Sequence, residues 1–214
     1  MKKRIIILTK SIKHTGYCVA GIDCDTGEWI RLVSSDMETE GAVPKYFLYY
    51  SDGSMLDIYD IIECELKQPC PTNVQPENWL YDENVSWKKI GKSSLEHVLG
   101  IHGYDRPEYV FYDSQVSLPE NWKFKGGGSI CILNIEKACI WVKTFDGKQT
   151  VSLNFTYNGY FYKYMRISQT DIKDYYSNKS DGEYPIYANA IVFSLTDRYY
   201  YNGKYYKVVA QILD

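Results

Sequence analysis

The sequence predicts a mainly β protein built from two small barrel-like units. Three observations carry that expectation. Apolar residues recur with period two over several separate stretches, as strands with one buried face require. Asp-Gly and Asn-Gly pairs sit between those stretches at hairpin spacing. Tyrosine supplies 22 of the 214 residues, and its apolar ring with a hydroxyl tip suits half-buried strand faces. A chain of this length can hold one large domain or two small ones.

Residues 4–9 form an apolar run that reads as a buried strand. Residues 17–24 alternate, with Cys18, Ala20, Ile22 and Cys24 on one side and Tyr17, Val19, Gly21 and Asp23 on the other. Asp25-Thr26-Gly27 signals a turn, and residues 28–33 then place Trp29, Arg31 and Val33 on one face and Ile30 and Leu32 on the other. Leu56, Ile58, Ile62, Cys64 and Leu66 keep period two and predict a long strand over 56–66. The next stretch changes character. It holds Pro69, Pro71, Pro76, Pro107 and Pro119, together with Trp79, Trp87 and Trp122, and a short helix near 93–99 behind a serine cap. It reads as a connecting segment. The tetrapeptide Pro76-Glu77-Asn78-Trp79 recurs as Pro119-Glu120-Asn121-Trp122, which suits a helix first turn followed by an anchoring Trp.

Gly126-Gly127-Gly128 marks entry to a second unit. Strands are expected near 130–135, 138–144, 149–157 and 160–166, the last two joined by Asn158-Gly159. A helix at 169–176, capped by Ser168 or Thr170, precedes strands at 187–195 and 204–213 joined through Asn202-Gly203. This order suits an OB-type barrel, a small Greek-key barrel with a helix inserted late. The first residues read as a shorter version of the same plan. The expected organisation is thus two OB-like Greek-key barrels, an N-terminal unit over 1–68 and a C-terminal unit over 128–214. An irregular, partly helical connecting segment over 69–127 joins them.

Composition narrows the function classes. The net charge of −3 argues against a protein that coats nucleic acid. Residues 1–34 nevertheless hold Lys2, Lys3, Arg4, Lys10, Lys13 and Arg31 against Asp23, Asp25 and Glu28, a local excess of +3. A basic face on an acidic body suits a short or specific anionic ligand. No apolar stretch approaches the roughly 20 residues that span a bilayer, and no secretory leader is evident. A cytoplasmic protein without a membrane partner is expected, its six cysteines reduced. No Cys-x-x-Cys pair or zinc spacing occurs, so no metal is expected. The Gly126-Gly127-Gly128-Ser129 run lacks the Lys-Ser or Lys-Thr of a phosphate loop, and no cofactor is expected. Asp25-Thr26-Gly27 would need a second such carboxylate to do aspartic-protease chemistry, and it reads as a hairpin turn. His14, His97 and His102 complete no recognisable catalytic motif, so no catalytic residue is assigned.

The sharpest binding signal is the run Lys10-Ser11-Ile12-Lys13-His14-Thr15, followed by Trp29 and Arg31. In OB barrels, strands two and three and the loop between strands one and two form the ligand face. Lys10, Lys13 and Arg31 would hold phosphate, Trp29 would stack on a base, and Ser11, His14, Ser34 and Asn78 would add hydrogen bonds. A structural assignment competes, with Trp29 in a core and Arg31 paired to an acidic neighbour.

The segments Lys10-Ser11, Cys18-Val19-Ala20-Gly21-Ile22-Asp23, Thr26-Gly27 and Trp29-Ile30-Arg31-Leu32-Val33-Ser34, with Pro76-Glu77-Asn78, resemble the dual OB-containing domain family. Those are prokaryotic proteins with two OB-type units. The resemblance implies recognition of nucleic acid or a nucleotide, in defence or mobile-element settings. The leading expectation is therefore a non-enzymatic binding module. A second is a protein-interaction component whose contact face is Tyr157, Tyr160, Tyr162, Tyr164, Tyr199, Tyr200 and Tyr201. A third is a nucleic-acid-processing enzyme that uses His14 or His97.

Overall fold

A computed structural model of the chain describes residues 1–13, 15–36, 38–119, 121–122, 127–199 and 201–214. The protein is mainly β and divides into two compact units, Met1–Gly103 and Tyr104–Asp214. The division falls inside the stretch read from sequence as a connector. Residues 69–103 contribute strands to the first unit, and residues 104–127 belong to the second.

The first unit contains β1 (Lys2–Lys13), β2 (Gly16–Asp23), β3 (Trp29–Val33), β4 (Asp60–Pro69), β5 (Asn78–Tyr81), β6 (Lys88–Lys92) and α1 (Leu95–Ile101). Its strands run in the order β1-β2-β3-β5-β4, and β4 pairs back onto β1. This closes a five-stranded barrel of OB type, with β6 added outside β4. Closure requires β1 to serve two neighbours. Its first half pairs with β4, the rest pairs with β2, and a bulge between Ile7 and Thr9 supplies the bend. The two strands cross so closely that a Cβ on Gly21 would lie 2.0 Å from the Ile6 carbonyl oxygen, so only glycine fits there. Inside, Ile5, Ile7, Val19, Ile30, Leu32, Ile62 and Leu66 pack against Phe47, Tyr81 and Trp87.

The barrel depends on one parallel pairing, β3 with β5, which sets Arg31 opposite Asn78. The Arg31 backbone N–H donates to the Glu77 carbonyl at 2.9 Å. Its guanidinium donates through Nε (3.2 Å) and Nη2 (3.0 Å) to Glu77 Oε1, and through Nη1 to Cys18 Sγ at 3.0 Å. Both side chains of this ion pair are only 5% exposed. One group therefore ties β2, β3 and the approach to β5.

Two sequence expectations change here and one holds. The predicted strand over 56–66 begins only at Asp60, because Tyr59 takes a left-handed conformation (φ 68°) and breaks it. Leu56 is still core, held in a loop by its N–H to the Leu48 carbonyl. Pro76-Glu77-Asn78-Trp79 opens strand β5 and no helix; its echo contains Glu120, which lies outside the described residues. α1 forms where expected, and the Ser94 hydroxyl caps it by accepting the His97 N–H.

The second unit contains β7 (Ser117–Leu118), β8 (Ile130–Leu133), β9 (Lys137–Phe145), β10 (Lys148–Tyr157), β11 (Tyr160–Ile167), α2 (Thr170–Tyr176), β12 (Gly182–Ile186), β13 (Ala190–Leu195) and β14 (Tyr205–Leu213). The order is β12-β9-β10-β11-β14-β13-β8, with β11 and β14 parallel as β3 and β5 are. β8 and β9 are consecutive in the chain yet pair at opposite sides of this path. Together they occupy the place of β1, broken at residues 134–136. The unit thus repeats the OB order with a divided first strand. Asp146-Gly147 and Asn158-Gly159 form hairpin turns with positive φ at every position, as that turn chemistry requires. β12 escaped the sequence reading because Pro185 disfavours a strand, although an edge strand tolerates it. Gln169, not Ser168 or Thr170, stands at the N-cap of α2, since the Ser168 hydroxyl is bound to the Val209 carbonyl.

Tyrosines of β10 and β11 hold the segment 104–118 onto this barrel. Tyr157 OH donates to the Pro107 carbonyl at 2.7 Å, and Tyr162 OH accepts from the Val110 N–H at 3.1 Å. Tyr157 and Tyr162 are therefore internal and cannot belong to a contact face. Tyr160, Tyr164, Tyr199 and Tyr201 are exposed, and Tyr200 lies outside the described residues. Lys207 joins the same arrangement from β14. Lys207 is 1% exposed; its ammonium donates to the Asp113 carbonyl and lies 5.8 Å from the Tyr162 ring centroid. Burial lowers its pKa from 10.5 to about 8, against the weaker opposing pull of the Asp113 charge.

All six cysteines are free thiols. Among the described residues no helix is long and apolar enough to cross a membrane, and no His, Cys, Asp and Glu cluster could hold a metal ion.

Two predictions follow from this packing. Arg31→Ala takes the guanidinium away from the buried Glu77 carboxylate and should cost about 3–5 kcal/mol in urea unfolding, with Arg31→Leu/Glu77→Leu recovering most of it; a loss under about 1 kcal/mol contradicts the assignment. Lys207 binds its proton more weakly folded than unfolded, so stability should rise with pH from about 8 towards 10.5. Measured against Lys207→Met, in which the tyrosine titrations cancel, the wild type should gain on the order of 2–3 kcal/mol over that window. A flat difference would refute the assignment.

Candidate functional site

The sequence-predicted site assembles in part, and its groups are bound internally. Ser11 and Cys18 are opposite one another on β1 and β2, and Arg31 and Asn78 on β3 and β5, all on one side of the sheet. Arg31 was expected to hold phosphate; its guanidinium is instead given to Glu77 and Cys18, away from solvent. The carboxylate satisfies a buried cation more cheaply than desolvation would allow a bare one. Trp29 packs edge-on to His102, with ring centroids 5.5 Å apart and a buried Nε1, so it is no open stacking surface. Lys10 Nζ donates to the Leu56 carbonyl (2.6 Å) and Lys13 Nζ to the Glu40 carbonyl (2.8 Å). Ser34 Oγ donates to Glu83 (2.6 Å), Asn78 Nδ2 donates to Gln75 (3.2 Å), and Ser11 is buried. His14 lies outside the described residues. The N-terminal basic excess is matched likewise, by Lys2–Glu63, Lys3–Asp23 and Arg4–Asp25 pairs. The last of these fixes Asp25 beside a turn closed by the Gly27 N–H on the Asp23 carbonyl, as the turn reading of Asp25-Thr26-Gly27 expects.

The same side of the second barrel is different. β10 and β11 are its strands two and three in the OB order, and β9 flanks them. Ile140, Val142, Leu153, Phe155, Tyr162 and Met165 point inward and are buried. The outward side chains include Trp141, Phe161, Lys163, Tyr164 and Arg166, with Phe161 57% and Tyr164 55% exposed. Trp141 and Tyr164 pack with ring centroids 4.4 Å apart, and Lys163 Nζ lies 5.4 Å from the Phe161 centroid. Trp141 is opposite Ser152, which is opposite Arg166, so ring and guanidinium share one row across three strands.

A bulge positions this face. Leu153 pairs with Met165 and Phe155 with Tyr162, so Asn154 stands against both Lys163 and Tyr164. Tyr164 takes a left-handed φ of 58°, and the Asn154 side-chain carbonyl accepts its N–H at 2.8 Å in place of the lost ladder bond. Such a conformation costs an aromatic residue on the order of 1–3 kcal/mol and persists only where the surroundings enforce it. The result is two neighbouring side chains, Lys163 and Tyr164, both sent outward. The sequence reading had Tyr164 only as part of a protein-contact face and missed Trp141, Phe161, Lys163 and Arg166 beside it. The signal for this face was the break in alternation across residues 161–166, where an inward residue is skipped once.

Electrostatics separate the units as well. The first holds 11 Lys and Arg against 15 Asp and Glu; the second holds 13 against 12. Among the described residues, Lys137, Lys148, Lys163 and Arg166 are exposed and have no carboxylate within ion-pair distance, whereas Lys143 pairs with Asp181 at 3.3 Å. This face can stack planar rings and attract anionic groups.

No curated protein and no solved structure matches the chain. The family model of the dual OB-containing domain matches residues 3–212. That span takes in both units, each with the OB strand order, and the chain belongs to the dual OB-containing domain family.

Proposed function

We propose that the protein is a non-enzymatic binding module that holds single-stranded nucleic acid on the outer face of β9, β10 and β11. Membership of an OB-containing family supports a binding role in general. The observation that carries the finer reading is one strand, β11, presenting Phe161, Lys163, Tyr164 and Arg166 to solvent, with neither cation in an ion pair among the described residues. Base stacking on an exposed aromatic ring contributes about 1–3 kcal/mol per base, and Lys or Arg contacts add the salt-sensitive phosphate term. Phe161 and Tyr164 are separated by about 10 Å of strand, which leaves room for more than one base. An unpaired strand exposes the base faces that such rings need, whereas a duplex hides them. The acidic first unit repels phosphate and favours a short footprint over continuous coating.

Fluorescence anisotropy with short labelled single-stranded RNA and DNA tests this. Phe161→Ala should weaken binding about tenfold with an unchanged melting temperature, since the ring is exposed. Arg166→Ala should reduce the salt slope by about 1. Absence of binding at low salt, or equal affinity in both variants, would overturn the proposal.

A further inference from the structure

The edge strand β12 adds a group that stacking and phosphate attraction leave unexplained. Glu183 is directly opposite Trp141 of β9. Side chains so opposed lie on the same face with Cβ atoms about 5 Å apart. Glu183 is exposed, and its carboxylate makes no hydrogen bond or ion pair with any described residue. The row across four strands is therefore Glu183, Trp141, Ser152 and Arg166, about 14 Å from end to end. It places an acceptor at one end, a ring beside it and a cation at the other end.

A carboxylate on a face that binds phosphates is a liability unless it meets a donor. A base stacked on the Trp141–Tyr164 ring pair would bring its edge to Glu183 while its backbone runs towards Arg166. Guanine presents two adjacent N–H donors on its Watson–Crick edge, the ring N1–H and the 2-amino group, which match the two oxygens of a carboxylate as a guanidinium does. Adenine and cytosine offer an amino group beside an acceptor. Uracil and thymine place their single N–H between two carbonyl oxygens that repel the carboxylate.

Resting on the nucleic-acid reading above, we propose that Glu183 makes this face prefer guanine. The experiment compares a short single-stranded oligonucleotide carrying one guanine in a uracil or thymine background with the same strand carrying inosine, which lacks the 2-amino group. Wild type should bind the guanine strand about tenfold more tightly. Glu183→Ala should bring the ratio below about twofold while inosine binding holds or improves, because a negative charge has left the face. Glu183→Gln, which keeps one acceptor, should fall between. Equal binding of the two strands by wild type, with Phe161→Ala still weakening both, would overturn the guanine preference and leave the nucleic-acid reading standing. A preference that survives Glu183→Ala would also overturn it. No binding of any strand would remove both.

Discussion

The buried pair between Arg31 and Glu77 is the interaction on which the first barrel is organised. Parallel pairing of β3 with β5 is the step that turns a meander into a closed barrel, and a short parallel contact is weakly specified by backbone bonds alone. A guanidinium that must find Glu77 and Cys18 at once fixes which residues meet. Desolvating two charges contributes little net stability, but an unpaired partner is costly, so misregistered closures are penalised. The same pair removes from the solvent the cation best placed by sequence to meet a ligand. Neighbouring cations follow suit, with Lys2, Lys3, Arg4 and Lys89 each paired to a carboxylate of the same unit.

Much of the architecture could be read from the chain because hairpins write their rules locally. The alternation through 17–24 and 28–33 correctly sorted Val19, Ile30 and Leu32 from Ala20 and Arg31, and the Asn158-Gly159 pair located its turn. Elements stabilised by distant partners were illegible. β5 is four residues after a proline, and its reason for being a strand lies in β3 and β4. β12 contains a proline and survives because only one of its edges is paired. The candidate site divides along the same line. Alternation says which side chains share a face, but it is silent on whether that face meets solvent. Trp29 and Arg31 have the right phase and are enclosed. On β11 the bulge resets the phase, so residues that share the exposed face no longer share parity.

The two units solve one topological problem differently. In the first, a continuous β1 bends through a bulge to reach both neighbours. In the second, the strand is cut into β8 and β9, and the interior admits Lys207 and the Tyr162 hydroxyl, which grip the 104–118 segment from within. Polar groups in that core are tolerated because a backbone carbonyl or N–H meets each of them. Duplicated topology thus does not imply duplicated chemistry, and each barrel's faces must be judged by the partners of its own side chains.

Tyr164 carries a tension of a different kind. Glycine at 164 would adopt the left-handed conformation without the roughly 1–2 kcal/mol that a side chain pays there. Thermodynamic and recognition pressures therefore favour opposite residues at one site. A library of this chain sorted only for heat resistance would drift to glycine and discard the ring, while one sorted for ligand capture would keep the strained tyrosine. Sequencing the survivors of both sorts would expose binding surface without any ligand being known beforehand.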